Sequence, residues 1–489
     1  MRGLFVAAVV AASAVCGACA AIAGLGDHEL APGAGSDASA DAPFATNDAA
    51  ADAPQGACGA CPSAYSCLQG RCSNAVVEVA ASGTHACAVL LGGEVWCWGK
   101  TQLGNLGVEA TTTPARCGTF ACRPTPARVP GITNAKHVAL ADDLTCVLDQ
   151  AGAVRCFGRN ARGELGHDPA GDPKCATSAT TTDGAAPSTE ACTSTPSAVT
   201  IAKGATIAQL VAGADVACAR TVTDGKVYCW GDDYLGEDGV YPIPANGEAF
   251  TPSLIAGTGG TGDIAFSASY GHGCQIGLFL GISCWGSNVE GELGHSNTDG
   301  GDDGCIFTAP CNPTAHGVTG AAGPIVAAGE KATCVVKQDG TVLCWGGNDA
   351  AQLGDGETVD SASHPVPQSV VGVSNVVALE LRFQTAFAID GAAHVTAWGF
   401  ASDGALGTSA ALVACTPGLC EPLAVRVPAL DGAIQIASTK AGGVALKSDG
   451  SVWTWGIDDL GQLGHDPQTD PACDDGPCVT TPAKLTGLP

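Results

Sequence analysis

"CVVKQDGTVLCWGGNDAAQLG", Cys334–Gly354, sets two cysteines ten residues apart, with Asp-Gly between them, then Trp-Gly, then a turn closed by Gly. Read as a β-hairpin, its loop Gln338-Asp339-Gly340 pairs Lys337 with Thr341, and so Cys334 with Cys344. Gly340 stands last in that three-residue loop, the left-handed position of a type I turn plus bulge. Directly opposed residues of a non-hydrogen-bonded antiparallel pair have Cα atoms about 4.5 Å apart. That separation lies within the reach of a disulfide.

The stretch recurs. Seven copies start at Cys87, Cys146, Cys218, Cys274, Cys334, Phe387 and Val444. Their aromatic-Gly pairs end at Gly99, Gly158, Gly231, Gly286, Gly346, Gly399 and Gly456, with successive spacings of 59, 73, 55, 60, 53 and 57. Gly93, Gly152, Gly225 and Gly450 repeat the turn glycine, whereas copies four and six lack it. Self-similarity on this period marks a solenoid or a propeller. Each unit holds about four short β-rich runs and no helical periodicity. One run is led by Pro and lies upstream of the next unit, as in Thr125–Val129 and Thr195–Val199. Four-stranded sheets repeated radially are propeller blades. The expected fold class is therefore all-β, a seven-bladed β-propeller with four-stranded blades. Thr481–Pro489 repeats the Pro-led strand with no unit after it, and Ala75–Cys87 lacks that strand before it. One blade shared between the two chain ends is the expected ring closure.

The chain carries its own control on the cysteines. Copy six has Phe387 and Ala397 at the two positions, and copy seven has Val444 and Thr454. Five copies keep both cysteines, two keep neither, and none keeps one. Paired presence is what a cross-strand bond demands; thiols scattered through a core would leave singletons. The expected disulfides are Cys87 with Cys97, Cys146 with Cys156, Cys218 with Cys229, Cys274 with Cys284 and Cys334 with Cys344. Trp98, Trp230, Trp285, Trp345, Trp398 and Trp455, with Phe157 in copy two, face away from the cysteine position because strand side chains alternate. Packing between blades accounts for them better than a sugar-binding ladder.

Gly340–Gly354, "G-x-V-x-C-W-G-x-N-x-x-G-Q-L-G", resembles the repeat of the regulator-of-chromosome-condensation family. Ala328–Cys334 and, more closely, Gly83, His85 and Ala88 match its A-G-x-x-H-x-x-A segment. The resemblance covers about residues 76–489 and implies a seven-bladed propeller, a fold that in this family often serves as a protein-docking platform. The eukaryotic founder is a guanine-nucleotide exchange factor on chromatin; secreted bacterial members, including a β-lactamase-inhibiting propeller, are nearer in context. Exchange activity is not carried over.

The setting follows from composition. The chain has 489 residues, 26 cysteines and a formal net charge of -27. Such acidity repels phosphate backbones, so no nucleic-acid partner is expected. So many cysteines outside a reducing cytosol read as disulfides. The opening "MRGLFVAAVVAASAVCGACAAIAG" has a basic start, an apolar core and small residues, the pattern of an export signal. Gly17-Ala18-Cys19 resembles the end of a lipoprotein signal, although Cys16 stands where Leu is usual. Lipidation at Cys19 is expected, with ordinary cleavage near Ala20 or Ala23 as the alternative. The expected organisation is a signal peptide (1–19), a disordered acidic linker (20–56), a small disulfide-rich segment (57–73) and the propeller (75–489). Cys58, Cys61, Cys67 and Cys72 form either a two-disulfide button or a zinc knuckle, with three connectivities open for the former.

After each Gly-closed turn a variable loop leads on, and the repeat sends all seven loops from one face. Five carry a further cysteine pair: Cys117/Cys122, Cys175/Cys192, Cys305/Cys311, Cys415/Cys420 and Cys473/Cys478. Pinning prepares loops for a partner, or merely protects them. "GHDPAGDPKC" (Gly166–Cys175), "GHDPQTDPAC" (Gly464–Cys473) and "GHSNTDGGDDGC" (Gly294–Cys305) are Asp-rich, and Ca²⁺ or a solvated turn fits each. His167, His295 and His465 share one repeat position in different blades, so no common metal site is expected. No catalytic motif is present. The reading is a non-catalytic, exported, protein-binding propeller at the bacterial cell envelope, as an outer-membrane or cell-surface lipoprotein or a secreted protein. No cofactor is expected, and membrane attachment would run through the N-terminal lipid. The alternative is a cell-envelope enzyme or polysaccharide binder using the central channel.

Overall fold

A computed structural model describes residues 66–68, 71–73 and 75–489, less short segments, chiefly 109–114, 177–188, most of 233–247, 298–302 and 305–308. Cys16, Cys19, Cys58, Cys61 and Cys305 lie outside the described residues, and with Cys305 falls the expected pairing of Cys305 with Cys311. Backbone strands Ser66–Leu68 and Arg71–Ser73 pair antiparallel, setting Cys67 opposite Cys72.

From Val76 onward the chain forms seven antiparallel sheets of four or five strands, each contiguous in sequence. Blade 1 is typical: Val76–Ala81 innermost, then His85–Leu90, Val95–Lys100 and Phe120–Arg128. The innermost strands of blades 2 to 7 are Ala135–Ala141, Ile207–Gly213, Ile264–Phe266, Ile325–Ala328, Val376–Arg382 and Ala433–Thr439. Each touches the next, and the last touches Val76–Ala81, which closes the ring.

The hairpin reading holds in register. Cys334 pairs with Cys344, and Lys337 donates its N–H to the Thr341 carbonyl at 2.8 Å. Gly340 takes φ 75°, in the left-handed region. Blade 6 makes the same turn with Ala393 at φ 59°, and blade 4 replaces it with Phe279 and Leu280 at φ 57° and 65°. The Gly after each aromatic has a separate cause. At Gly346 φ is 112°, and a Cβ would stand 2.3 Å from the Lys331 carbonyl oxygen. A bulge falls there, where the strand leaves its partner.

Two expectations need correction. The chain ends do not share a blade. Cys478–Lys484 pairs with Val452–Ile457 inside blade 7, and Phe120–Arg128 pairs with Val95–Lys100 inside blade 1. The Pro-led strand is thus the last strand of its own blade. The Trp-bearing strand before it offers the nearest free edge, and the Gly-closed turn reverses the chain onto it. Nor does every blade stop at four strands. In blades 1, 2, 4 and 6 the variable loop folds back as a fifth, outermost strand: Ala115–Cys117, Lys174–Ala176, Asp303–Gly304 and Val413–Cys415. Among the described residues, blades 3 and 5, without loop cysteines, have four.

The core lies between blades. All six repeat tryptophans and Phe157 are fully buried. Trp98, Trp230, Trp345, Trp398 and Trp455 donate their indole N–H to carbonyls of Gln462, Glu164, Glu292, Gln352 and Ala405, at 2.9–3.0 Å. Every acceptor sits in the Gly-closed turn of the preceding blade. The Trp98 bond to Gln462 spans blades 1 and 7, so the ring closes by the same staple that joins blades 2 to 3, 4 to 5, 5 to 6 and 6 to 7.

Candidate functional site

Strand alternation puts two sets of segments on one face of the disk: the turns between first and second strands, and the loops between third and fourth. This loop face is laced by ion pairs. Lys100 meets Asp143 of the next blade at 2.9 Å. Arg159 meets Asp215 of the next blade at 2.8 Å and Glu190 at 2.7 Å. Lys331 meets Asp349 at 2.6 Å. Asp168, Asp459, Asp466, Asp474 and Asp475 remain exposed or cap exposed turns.

The cysteines cluster by role. Five hairpin pairs lie at the heart of blades 1 to 5, with Cα atoms 4.0–4.1 Å apart, in a disulfide-compatible arrangement. On the loop face, Cys117 and Cys122, Cys175 and Cys192, Cys415 and Cys420, and Cys473 and Cys478 are brought together at 5.8–6.0 Å between Cα atoms. These join the loop's return strand to the blade's edge. In blade 7 the return is a single bridge between Ala472 and Pro477. The fifth expected loop pair, in blade 4, is described from one side only. Cys311 is fully buried on Pro310–Ala322, between Ser287 of the Trp-bearing strand and Asp303 of the return strand. Its sulfur too stands in a disulfide-compatible arrangement, while Cys305, the partner expected for it, lies outside the described residues.

The central channel holds a cavity of about 230 Å³ lined by the innermost strands. Its polar groups stitch blades together. Glu78 accepts from Val138 N at 3.2 Å and meets His137 at 2.7 Å. Burial alone would lower the His137 pKa, but the Glu78 carboxylate outweighs it and raises it. Gln435 accepts from Val79 N, Glu380 from Ser438 N, and Gln209 both accepts from and donates to the Ile264 backbone. Arg382 reaches from blade 6 to the carbonyls of Leu140 and Ala212, in blades 2 and 3, at 2.6 and 3.4 Å. Each of these side chains is thereby engaged by another blade, Arg382 from across the channel.

His85 and His272 join the same framework. Each sets Nε2 within 2.8–2.9 Å of a threonine hydroxyl of the next blade, Thr145 or Thr333. Those hydroxyls donate to the Asn105 and Glu292 carbonyls, so Nε2 carries the proton that reaches them. Burial pushes both imidazoles down to about 3, keeping them neutral.

Residues 76–104, 207–237 and 325–352 match a model of the regulator of chromosome condensation (RCC1) repeat, and residues 339–386 match a second model of that repeat. The chain is 25% identical over 365 residues to the ultraviolet-B receptor UVR8 of Arabidopsis thaliana, covering 74% of this chain and 73% of the receptor. It is 27% identical over 249 residues to the human E3 ubiquitin-protein ligase HERC2, of which it spans 5%. Among solved structures, yeast RCC1 (Prp20) in complex with Kap60 superposes with a TM-score of 0.63 at 18% identity, over 80% of this chain and 83% of that one. Human WBSCR16 gives 0.62 at 18% identity, over 80% and 94%. The chain is an RCC1-like propeller.

Within the RCC1-like repeat, the Asn two residues after the aromatic-Gly pair has a fixed task. Asn160, Asn288 and Asn348 each accept, on Oδ1, the N–H of the Leu five residues on, at 3.0–3.2 Å. Blade 7 places Asp458 there, accepting from Leu463 N at 2.8 Å. Burial, reinforced by the charge of Asp470, pushes the Asp458 carboxyl upward. Asp458, His465 and Asp470 are the described residues that gather three metal-competent atoms within 4.8 Å. The sequence reading named His465 and its acidic loop but passed over Asp458, although its departure from the repeat's Asn was visible. In the loops Gly166–Cys175 and Gly464–Cys473, Asp168 and Asp466 cap turns, while Asp172 and Asp470 meet His167 and His465. The third Asp-rich loop, 294–305, lies partly outside the described residues.

Proposed function

We propose that this RCC1-like propeller is a non-catalytic scaffold, exported to the bacterial cell envelope, that binds another protein through its loop face. The observation that carries this is the loop face itself. There, return strands are joined to blade edges by paired cysteines, while the polar groups of the channel are engaged between blades. In an oxidising compartment those pairs are disulfides, and Cys19 carries the lipid that holds the chain to a membrane. Pre-organised loops lower the ordering cost of binding. A chain with 48 acidic and 21 basic residues favours a partner with a basic surface. Use of the fold for protein contact has a parallel in yeast RCC1, solved bound to Kap60.

The test is affinity capture with the mature chain from envelope and secreted proteins. Charge reversal at Asp474 and Asp475 should release the captured protein, whereas reversal at Asp339, on the opposite face, should not. Capture of glycans or small molecules in place of a protein would refute the reading. So would a protein that survives loop-face reversal but is lost on substitution in the channel.

A further inference from the structure

Blades 2 and 7 carry the same loop, His-Asp-Pro after the Gly-closed turn and Asp five residues beyond the His. They differ at the residue facing it. In blade 2, Asn160 Nδ2 donates to Asp172 Oδ2 at 2.5 Å and to the His167 carbonyl at 3.2 Å, and His167 Nε2 lies 3.1 Å from Asp172 Oδ1. The amide N–H groups satisfy both acceptors.

In blade 7 the loop keeps its half of the arrangement, with His465 Nε2 at 2.8 Å from Asp470 Oδ1. The facing group, however, is the Asp458 carboxylate. Its Oδ1 performs the asparagine's task toward Leu463 N. Its Oδ2 takes the place of the amide nitrogen and, when the carboxylate is ionised, has no hydrogen to give. Asp458 is fully buried, and Oδ2 of Asp458 and Oδ2 of Asp470 are both buried without a hydrogen-bond partner. His465 Nε2 stands 3.8 Å from Asp458 Oδ2. Two carboxylates thus converge where a donor stood, and a buried oxygen left unpaired is costly. The same loop in blade 2 shows what is missing: a donor to the two facing oxygens, a place that a bound cation would fill.

We propose that Asp458, His465 and Asp470 bind one divalent cation of the zinc class. One imidazole nitrogen and two carboxylate oxygens form the three-ligand protein set that leaves a tetrahedral ion its fourth position for water. His465, with its side chain 35% exposed, gives the solvent side. Ca²⁺ requires six to eight oxygens, and Mg²⁺ keeps most of its waters, so a nitrogen-bearing set of three favours neither. The ion fastens the loop 464–473 to the end of the Trp455 strand. This is also the turn whose Gly464 abuts Trp98 and Leu485 at the ring-closing seam.

The experiment uses the full chain, oxidised and stripped with chelator, with free thiols titrated in the same sample because thiolates also bind zinc. Zn²⁺ uptake is measured by calorimetry, with Mn²⁺ and Ca²⁺ in parallel, and Co²⁺ reports ligand geometry by its visible absorption. Wild type should take up one Zn²⁺ equivalent that Asp458→Asn, which rebuilds the blade 2 arrangement, does not. His465→Ala should weaken that equivalent by about 100-fold or more. Bound Co²⁺ should show the intense absorption of a four-coordinate ion in wild type alone. Equal uptake by wild type and Asp458→Asn would overturn the site. So would no uptake by wild type together with a higher melting temperature of Asp458→Asn, which would mean that the two carboxylates share a proton.

Discussion

Glu292 sits in the Gly-closed turn of blade 4, wholly buried. Its carboxylate accepts Glu290 N at 2.6 Å and the Ser287 hydroxyl at 2.8 Å. Its carbonyl receives both Trp345 Nε1 and Thr333 Oγ1 from blade 5. Burial pushes the Glu292 carboxyl up from 4.5 to about 7. The folded chain therefore holds this proton more tightly than the unfolded chain does. The resulting stability is fully present below pH 4.5 and is lost as the pH rises toward 7. The gap, at about 1.4 kcal/mol per pK unit, makes the loss about 3 kcal/mol. Glu292→Gln removes the charge and keeps the turn. Gln352 and Gln462 already fill this position in blades 5 and 7, where Oε1 accepts Ala350 N and Leu460 N at 2.8 and 2.7 Å. Denaturant unfolding without reductant, from pH 4 to 8.5, should show the two proteins nearly matched at pH 4. At pH 8 the variant should be about 3 kcal/mol more stable. Parallel pH profiles, or a variant less stable at pH 8, would refute the reasoning.

The buried histidines have the opposite sign. With His85 and His272 pushed down from 6.5 to about 3, stability is full above pH 6.5 and falls in acid, by about 2 kcal/mol per imidazole at pH 5; the double variant to Gln should flatten that limb of the same unfolding curve. Trp98→Phe, copying Phe157 of blade 2, leaves the Gln462 carbonyl without its indole donor and should cost about 1–3 kcal/mol, with faster hydrogen exchange at the seam of blades 1 and 7. Replacing Cys334 and Cys344 by the Val and Thr of blade 7 should lower unfolding stability by about 2–3 kcal/mol, and non-reducing peptide mapping of wild type should yield the Cys334 and Cys344 peptides linked. The same map should join the Cys311 peptide to that of Cys305.

The blade count, the hairpin register and the inter-blade tryptophans were legible because each is a local pattern repeated seven times. Ten residues between cysteines, with Gly340 before the return strand, leave one register that opposes them. The destination of the Pro-led strand was not legible. A run such as Thr125–Val129 lies between two units and reads alike as the end of one or the start of the next. Which edge it joins is decided by the Gly-closed turn, a tertiary event. The fifth strands were hidden too, since Ala115–Cys117 and Val413–Cys415 are three-residue runs inside variable loops. Asp458 was hidden by its likeness to asparagine: the repeat tolerates either oxygen toward Leu463, and the second atom matters only once Asp470 is known to face it.

The nine propeller cysteine pairs described from both sides lie within a blade, and none of them crosses a seam. The seams are held by indole-to-carbonyl bonds, by histidine–threonine relays, and by buried turns that include Glu292. Because the ring closes without a shared blade, the seam between blades 7 and 1 relies on contacts of the same kind, Trp98 to Gln462 and Gln435 to Val79. Covalent bracing and titratable packing therefore act on different parts of the molecule. Reductant weakens the blades and leaves their seams intact. A pH change loosens the seams of a ring whose blades stay braced. The cysteine pairs hold the loops to their blades while the ring's overall stability follows the acidity around it.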